Sequence, residues 1–286
     1  MTTTKIEICR KMTSFLRNSS TFAEIVTNAA IQIHNSSDIN MKTNGEAFFA
    51  RKLLSIMDSQ SIIIDVGTNV GDFLNLFISK ESGFQGQIIA IDPLSENLLS
   101  AKNRFEDRIE QIIWVEGAAT NFDGEIDFYK HVDRYFSGGD SLKPMTTIGF
   151  KNLSEKVSVK AVMLSTLIEK YFGSQWFAKE KVFFCKIDVE GAELLVLEGG
   201  KRLLEKDNGI NVIQFEFGIS SRAFKTYFID IFEFLKDCNF ETFILHPDCL
   251  KSIKDPILID LNYPYGNFVA LKKSIVQQIK SVVPMI

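Results

Sequence analysis

Cysteine, histidine, tryptophan and basic charge are all in short supply in this chain of 286 residues. The four cysteines, Cys9, Cys185, Cys238 and Cys249, lie far apart and form no Cys-x-x-Cys pair, so they read as free thiols of a reducing, cytoplasmic protein. Cys185 falls inside an apolar run and serves there as a small buried residue. Of the three histidines only His246, at the end of a strand, is an outside candidate for a base, and a lone histidine there is more often structural. Lys and Arg number 32 against 36 Asp and Glu, a net charge of −4. That argues against a general binder of phosphate backbones, leaves room only for a local basic patch, and gives no expectation of a nucleic-acid partner. No stretch approaches the ~20 uncharged apolar residues of a membrane span. The opening Met1–Glu7 has no continuous apolar segment of a secretion signal. Internal repeats and low-complexity tracts are missing. What remains is a chain that is 45% hydrophobic, enough for the full core of one large α/β domain with an appendage.

The stretch that organises it is Ser61–Phe73. Ile62, Ile63, Ile64 and Val66 are β-branched with only Asp65 polar among them, as suits a strand buried on both faces. Gly67 and Gly71 then make a turn through Thr68 and Asn69, and Phe73–Ile78 reads as a helix. Strand, glycine turn and helix make a nucleotide site in an open α/β sheet, because backbone can approach the ligand and the helix N-terminus faces it. The Gly-x-Gly-x-x-Gly of dinucleotide folds is absent; Asp65-x-Gly67-x-x-x-Gly71 is instead the spacing of S-adenosylmethionine binders, where no pyrophosphate must be cradled. Gln87–Asp92 is a second buried strand, closed by Pro93, with Asp92 placed to accept bonds from ribose hydroxyls. Ile112–Val115 is a third, and small residues Gly117 and Ala118 after it would let an adenine ring lie flat against backbone.

Simple alternation then breaks. More than sixty residues separate Glu116 from Lys181, long for a βα connection. Two period-2 patterns, Glu125–Tyr129 and Lys156–Val162, flank a polar glycine loop at Asp133–Ser141, so the insertion around 120–165 is a candidate lid or substrate surface. Val182–Glu193 is a buried strand on which charge appears only towards the end. If it stays extended, Lys186, Asp188 and Glu190 alternate onto one side, and three charges at the mouth of an apolar strand are costly unless they pair or bind something. A Lys186–Asp188 structural pair is the plainer alternative. Asn211–Phe217 carries Glu216 near its end. A helix over Glu46–Met57 starts at Asn44-Gly45-Glu46, where the carboxylate reads as a helix-start acid rather than a ligand contact. Residues 1–45 form a helical extension that would cover a core edge or help a homodimer. Residues 46–273 form the α/β domain, and 274–286 a short helical tail.

Asp65–Gly71, Asp92-Pro93 and Lys186-Ile187-Asp188-Val189-Glu190-Gly191-Ala192-Glu193 together resemble the FkbM family of S-adenosylmethionine-dependent methyltransferases, over roughly Asn44 to Leu271. Asp92 stands where the family commonly has Glu, and Thr68 where it commonly has Ala. The resemblance implies a class I, Rossmann-like sheet of seven strands, the last antiparallel, with helices on both faces. It implies methyl transfer to a hydroxyl of a sugar, glycan or small metabolite. On that reading Asp65, Gly67, Thr68, Asn69, Gly71, Asp92, Pro93, Gly117, Ala118 and Asp188 bind the cofactor. Asp188, Glu190, Lys186 and Glu216 carry the chemistry, Glu190 or Glu216 as base. A divalent ion on the carboxylates has no further ligand spacing in its favour. A non-catalytic cofactor-binding scaffold and an NAD-type oxidoreductase are the competing readings.

Overall fold

The computed structural model describes residues 19–33, 35–79, 82–131, 140–144, 154–173, 181–206, 209–262 and 265–286, with single positions at 7, 13, 146 and 149. Most of the Asp133–Ser141 loop expected from sequence, and Cys9, lie outside these residues. In chain order the elements are α1 (Ser20–Ile33), α2 (Glu46–Leu54), β1 (Ser61–Val66), α3 (Asn75–Ile78), β2 (Gln87–Asp92), α4 (Ser95–Arg104) and β3 (Ile112–Glu116). Then come β4 (Ala118–Ala119), β5 (Gly124–His131), β6 (Ser154–Val162), α5 (Leu164–Phe172), β7 (Lys181–Ile187), α6 (Glu193–Gly199) and α7 (Lys201–Leu204). The chain closes with β8 (Val212–Gly218), α8 (Phe228–Asp237), β9 (Phe240–Leu245), β10 (Leu250–Ser252), α9 (Ile257–Asn262), β11 (Tyr265–Lys272) and α10 (Val276–Lys280).

The main sheet has the order β10-β9-β11-β8-β7-β1-β2-β3. β7, β8, β1, β2 and β3 run parallel, and β11 is antiparallel to both β8 and β9. This is an open α/β sheet with a reversed last strand, as the class I methyltransferase fold requires. It has eight strands rather than seven. The extra one, β10, falls between β9 and β11. Three residues are too few to carry a period, and β10 exists because both of its edges are paired. β9 holds one side, and the C-terminal residues hold the other through Leu250 N to Pro284 O at 2.9 Å and Ser252 N to Ile286 O at 2.7 Å. The tail thus closes a sheet edge that would otherwise be open to association.

Alternation along the strands fills two apolar layers. Ile62, Ile64 and Val66 of β1 face a layer with Leu167 and Ile168 of α5, Val196 and Leu197 of α6, and Phe228, Ile231 and Leu235 of α8. Ile63 faces the other, with Phe49 and Leu53 of α2, Phe77 of α3, Phe184 of β7 and Ile279 of α10. Helices therefore cover both faces. The insertion forms a second, three-stranded sheet, β4-β6-β5. Both period-2 patterns are strands of it, paired antiparallel from Gly124↔Ala161 to His131↔Ser154. No helix among the described residues is long and apolar enough to cross a membrane.

The turn after β1 interlocks with the end of β7. Asp188 N donates to Val66 O at 3.0 Å, and Gly67 has φ +82°. A Cβ on Gly67 would lie 1.8 Å from the Asp188 carbonyl oxygen. The glycine is thus required first by this backbone approach. Gly71 (φ +83°) is required by helix packing, since its Cβ would meet the Phe105 ring at 2.7 Å. Gly173 has a similar φ of +76° with nothing within 4 Å of its Cβ. Gly67→Ala is therefore expected to lower unfolding stability by more than ~2 kcal/mol, against ~1 kcal/mol for Gly173→Ala. Urea titrations giving equal losses would show that φ alone, not the contact with Asp188, sets the cost.

Candidate active site

One face of the sheet changes character along its length. Ile63, Phe184 and Val212 share the α2–α3 side, and two residues further on, Asp65, Lys186 and Gln214 stand side by side in register on that face. Asp188 and Glu216 follow at the strand ends. From α2, Glu46 reaches the same layer: Gln214 Nε2 donates to its Oε1 at 2.7 Å, and Asn44 Nδ2 to its Oε2 at 2.8 Å. Lys186 is 5% exposed. Its Nζ lies 2.7 Å from Asp188 Oδ2 and 4.7 Å from the centroid of the Phe73 ring. Burial pulls its pKa down, but Asp188, Glu46 and Asp65 more than offset this and hold it above the ordinary lysine value.

These groups floor a cavity of about 800 Å³ at the carboxyl ends of the parallel strands. Gly67, Thr68, Asn69, Asp92, Pro93, Gly117 and Ala118 line it, together with Lys186, Asp188, Glu190 and Glu216. Asp65 and Gly71, both expected at the ligand, are not among the lining residues. Asp65 is wholly buried beneath the turn, and its carboxyl oxygens have no hydrogen-bond partner among the described residues. Gly71 faces Phe105. His246 is likewise off the cavity wall. No group of three or more metal-ligating side chains occurs among the described residues.

Asp92 is 4% exposed and organises the turn as well as facing the cavity. Its Oδ2 accepts Asn69 N at 2.8 Å, and its Oδ1 accepts Leu94 N at 2.9 Å and Asn97 Nδ2 at 3.1 Å. Burial outweighs these bonds and pushes its pKa up to about 6. Asp92 thus holds the turn before α4 and faces the cavity at once. The β7 mouth differs from the extended strand expected. The strand stops at Ile187, and Glu190 sits in left-handed backbone, φ 53°. Its carbonyl accepts Ser141 Oγ at 2.8 Å from the insertion. Glu193 Oε1 accepts the N–H of Gly191 at 3.1 Å and of Val189 at 3.3 Å, folding the turn back onto the start of α6. The alternating pattern therefore breaks, yet the turn still brings Glu190 to the cavity. The Lys186–Asp188 pair is real and lies on the wall.

Sequence reasoning missed several lining groups. Glu46 was read as a helix-start acid only, but it is 5% exposed and lines the cavity. Tyr265, at the start of β11, lines it too. Asp140, His131, Phe128 and Leu142 arrive from the insertion, Asp140 Oδ1 accepting His131 N at 2.5 Å. No local motif marks any of them; only the register of β8 with β11, Glu216↔Asn267 and Gly218↔Tyr265, brings Tyr265 into range.

The acids outnumber the cations, and they respond by holding protons. Burial first, then the charges of Asp188 and Glu193, push Glu190 up to about 8. Burial raises Glu193 to about 7 and Asp65 to about 6. Glu216 is raised well above the ordinary range by burial and by Asp188 and Glu190. In each case the folded state binds a proton more tightly than the unfolded chain. The stability these groups contribute is full below the ordinary carboxylate pKa and is lost as pH rises through the folded value. The ligand-free protein is accordingly expected to lose denaturant stability steadily from pH 5 to pH 8. Glu190→Gln should flatten the part of that slope nearest pH 8, and an unchanged slope would remove Glu190 from the cluster.

Residues 65–242 match the family model described as the methyltransferase FkbM domain, a shorter span than Asn44–Leu271. No curated protein matches the sequence. Among solved structures, the methyltransferase FkbM of Methylobacillus flagellatus is 14% identical with a TM-score of 0.47, the match covering 75% of this chain and 44% of that one. This chain thus spans less than half the length of that protein. An rRNA methylase of Streptococcus thermophilus is 12% identical (TM-score 0.42; 82% and 99% covered). Aeropyrum pernix fibrillarin, determined with S-adenosyl-L-methionine bound, is 13% identical (TM-score 0.37; 78% and 74% covered). With well over half of its length inside the family match, the chain belongs to the FkbM family of methyltransferases.

Proposed function

We propose that this enzyme transfers the methyl group of S-adenosylmethionine to a hydroxyl of a sugar, glycan or small metabolite. The observation that carries the reading is that one cavity is lined by two unlike sets of residues. The first is a glycine turn, a ribose-type acid and small residues; the second is a cluster of buried acids around one ammonium. The first set suits a nucleoside: Asp92 keeps lone pairs for ribose hydroxyls, and Gly117 and Ala118 add no bulk beside a base. The second set suits the rest of a cationic cofactor, because buried carboxyls crowded together favour any positive charge brought among them.

The cofactor supplies the electrophilic methyl; the chain must align the acceptor and take its proton. Asp188, fixed by Lys186, is assigned to the cofactor's amino group. Lys186 is ion-paired and held protonated, so it acts by placing Asp188, not as a base. Glu190 and Glu216 are the proton acceptors. A carboxyl raised to about 8 is, once ionised, a stronger base than an ordinary glutamate and is matched to neutral pH. The family assignment removes the NAD-type oxidoreductase reading, and a cofactor-binding scaffold would have no use for Glu190 and Glu216 at this mouth.

Glu190→Gln and Glu216→Gln are each expected to lower kcat by ~100-fold or more while leaving calorimetric affinity for S-adenosylhomocysteine within about twofold. Asp188→Ala should abolish that affinity. Retained binding by Asp188→Ala would reverse the division of roles. A screen of labelled methyl transfer onto free glycans, nucleotide sugars and lipid-linked sugars identifies the acceptor, and failure to label any acceptor would favour the scaffold.

A further inference from the structure

Two polar groups on the cavity wall come from outside residues 65–242, and they come from opposite ends of the chain. Glu46 opens α2, and Tyr265 opens β11. The segment between α1 and α2 binds them into one structure. Ser37 N and Ser36 Oγ both donate to the Tyr265 carbonyl, at 3.0 and 2.8 Å. Asn35 Nδ2 donates to Leu245 O at 3.0 Å and to Asn44 O at 2.7 Å. Asn44 in turn clasps Glu46: its Nδ2 donates to Oε2, and its Oδ1 accepts Glu46 N at 3.0 Å. Between these ties, Ile39 and Met41 are presented to the cavity. The segment is a strap laid over the ends of β9 and β11.

Resting on the methyltransferase reading above, we infer that Glu46 and Tyr265, with the strap Asn35–Asn44 behind them, determine which acceptor this enzyme takes. Three observations lead there. Glu46 and Tyr265 line the same cavity as Asp188, Glu190 and Glu216, and Glu46 is bonded to Gln214, two places before Glu216 on β8. Tyr265 pairs with Gly218 in the β8–β11 register, at the strand end that carries Glu216, one of the two proposed bases. Glu46 is 5% exposed and held by two donors, yet each carboxyl oxygen keeps a lone pair. A wall of carboxylate and phenol oxygens takes a partner that donates hydrogen bonds and carries no negative charge. It fits an uncharged polyhydroxyl and opposes a phosphate or carboxylate at the reacting end.

The test needs no knowledge of the acceptor. Sinefungin carries an ammonium where the cofactor has its transferable methyl, so its affinity relative to S-adenosylhomocysteine reads the charge facing the acceptor. Calorimetry with both ligands is run on the full chain, on Glu46→Gln and on Tyr265→Phe. Glu46→Gln is expected to weaken sinefungin about tenfold, and Tyr265→Phe severalfold, with S-adenosylhomocysteine within about twofold in both. Glu46→Asp should restore part of the preference, which separates charge from folding, and thermal unfolding checks that each variant is intact. Equal loss of both ligands would place Glu46 on the cofactor itself and overturn the inference. No change in either ligand would make Glu46 and Tyr265 structural and overturn it too. If the unaltered protein binds neither ligand, the methyltransferase reading fails instead.

Discussion

Lys186 is the group on which the site depends. Its ammonium sits at the centre of a buried layer in which Asp65, Asp188 and Glu46 all act on it, with the Phe73 ring on one side. An ammonium in such a place survives only because the negative charges around it exceed its own desolvation cost, and those carboxyls are tolerated only because it is there. The arrangement is still short of positive charge. The surplus is absorbed by protons on Glu190, Glu193 and Glu216, which is why their pKa values move upward together. Such a site is unsatisfied by design. A cation entering it displaces protons or pairs with existing charge, and the protein's own strain becomes binding energy.

The polar layer is where the fold and the chemistry meet. At Ile63, Phe184 and Val212, β1, β7 and β8 carry apolar side chains towards α2 and α3. In the last residues the same face carries Asp65, Lys186, Asp188, Gln214 and Glu216. Strand period and register make this possible, with the β1–β7 register shifted by one residue between Ile62 and Ile63. Once Ile63, Phe184 and Val212 are aligned in the core, the polar residues two places on, Asp65, Lys186 and Gln214, are aligned as well. Packing of the apolar half positions the polar half.

This explains what could be read from the sequence. β1, β2, β7 and β8 were legible because each is a dense apolar run ending in an acid, and their order follows from the β-turn-helix alternation. Asp92 and Asp188 were legible as cavity groups for the same reason. β10 was not, because three residues held by pairing on both edges have no periodic signature. Neither was the left-handed Glu190, where a turn replaces the extended strand that alternating charges suggested. Asp65 and Gly71 were placed on the ligand because motif spacing cannot distinguish a residue that touches the ligand from one that supports the turn. Glu46 and Tyr265 were invisible for a deeper reason. They are 219 positions apart in the chain and meet the site only through register and through the strap.

The approach of Gly67 to the Asp188 carbonyl has an entropic side. Two loops from different strands share one backbone contact, each closing the space the other would need to move. A side chain on Gly67 would force the two loops apart, so their contact fixes the spacing of the cavity floor and leaves less conformational freedom there for a ligand to remove.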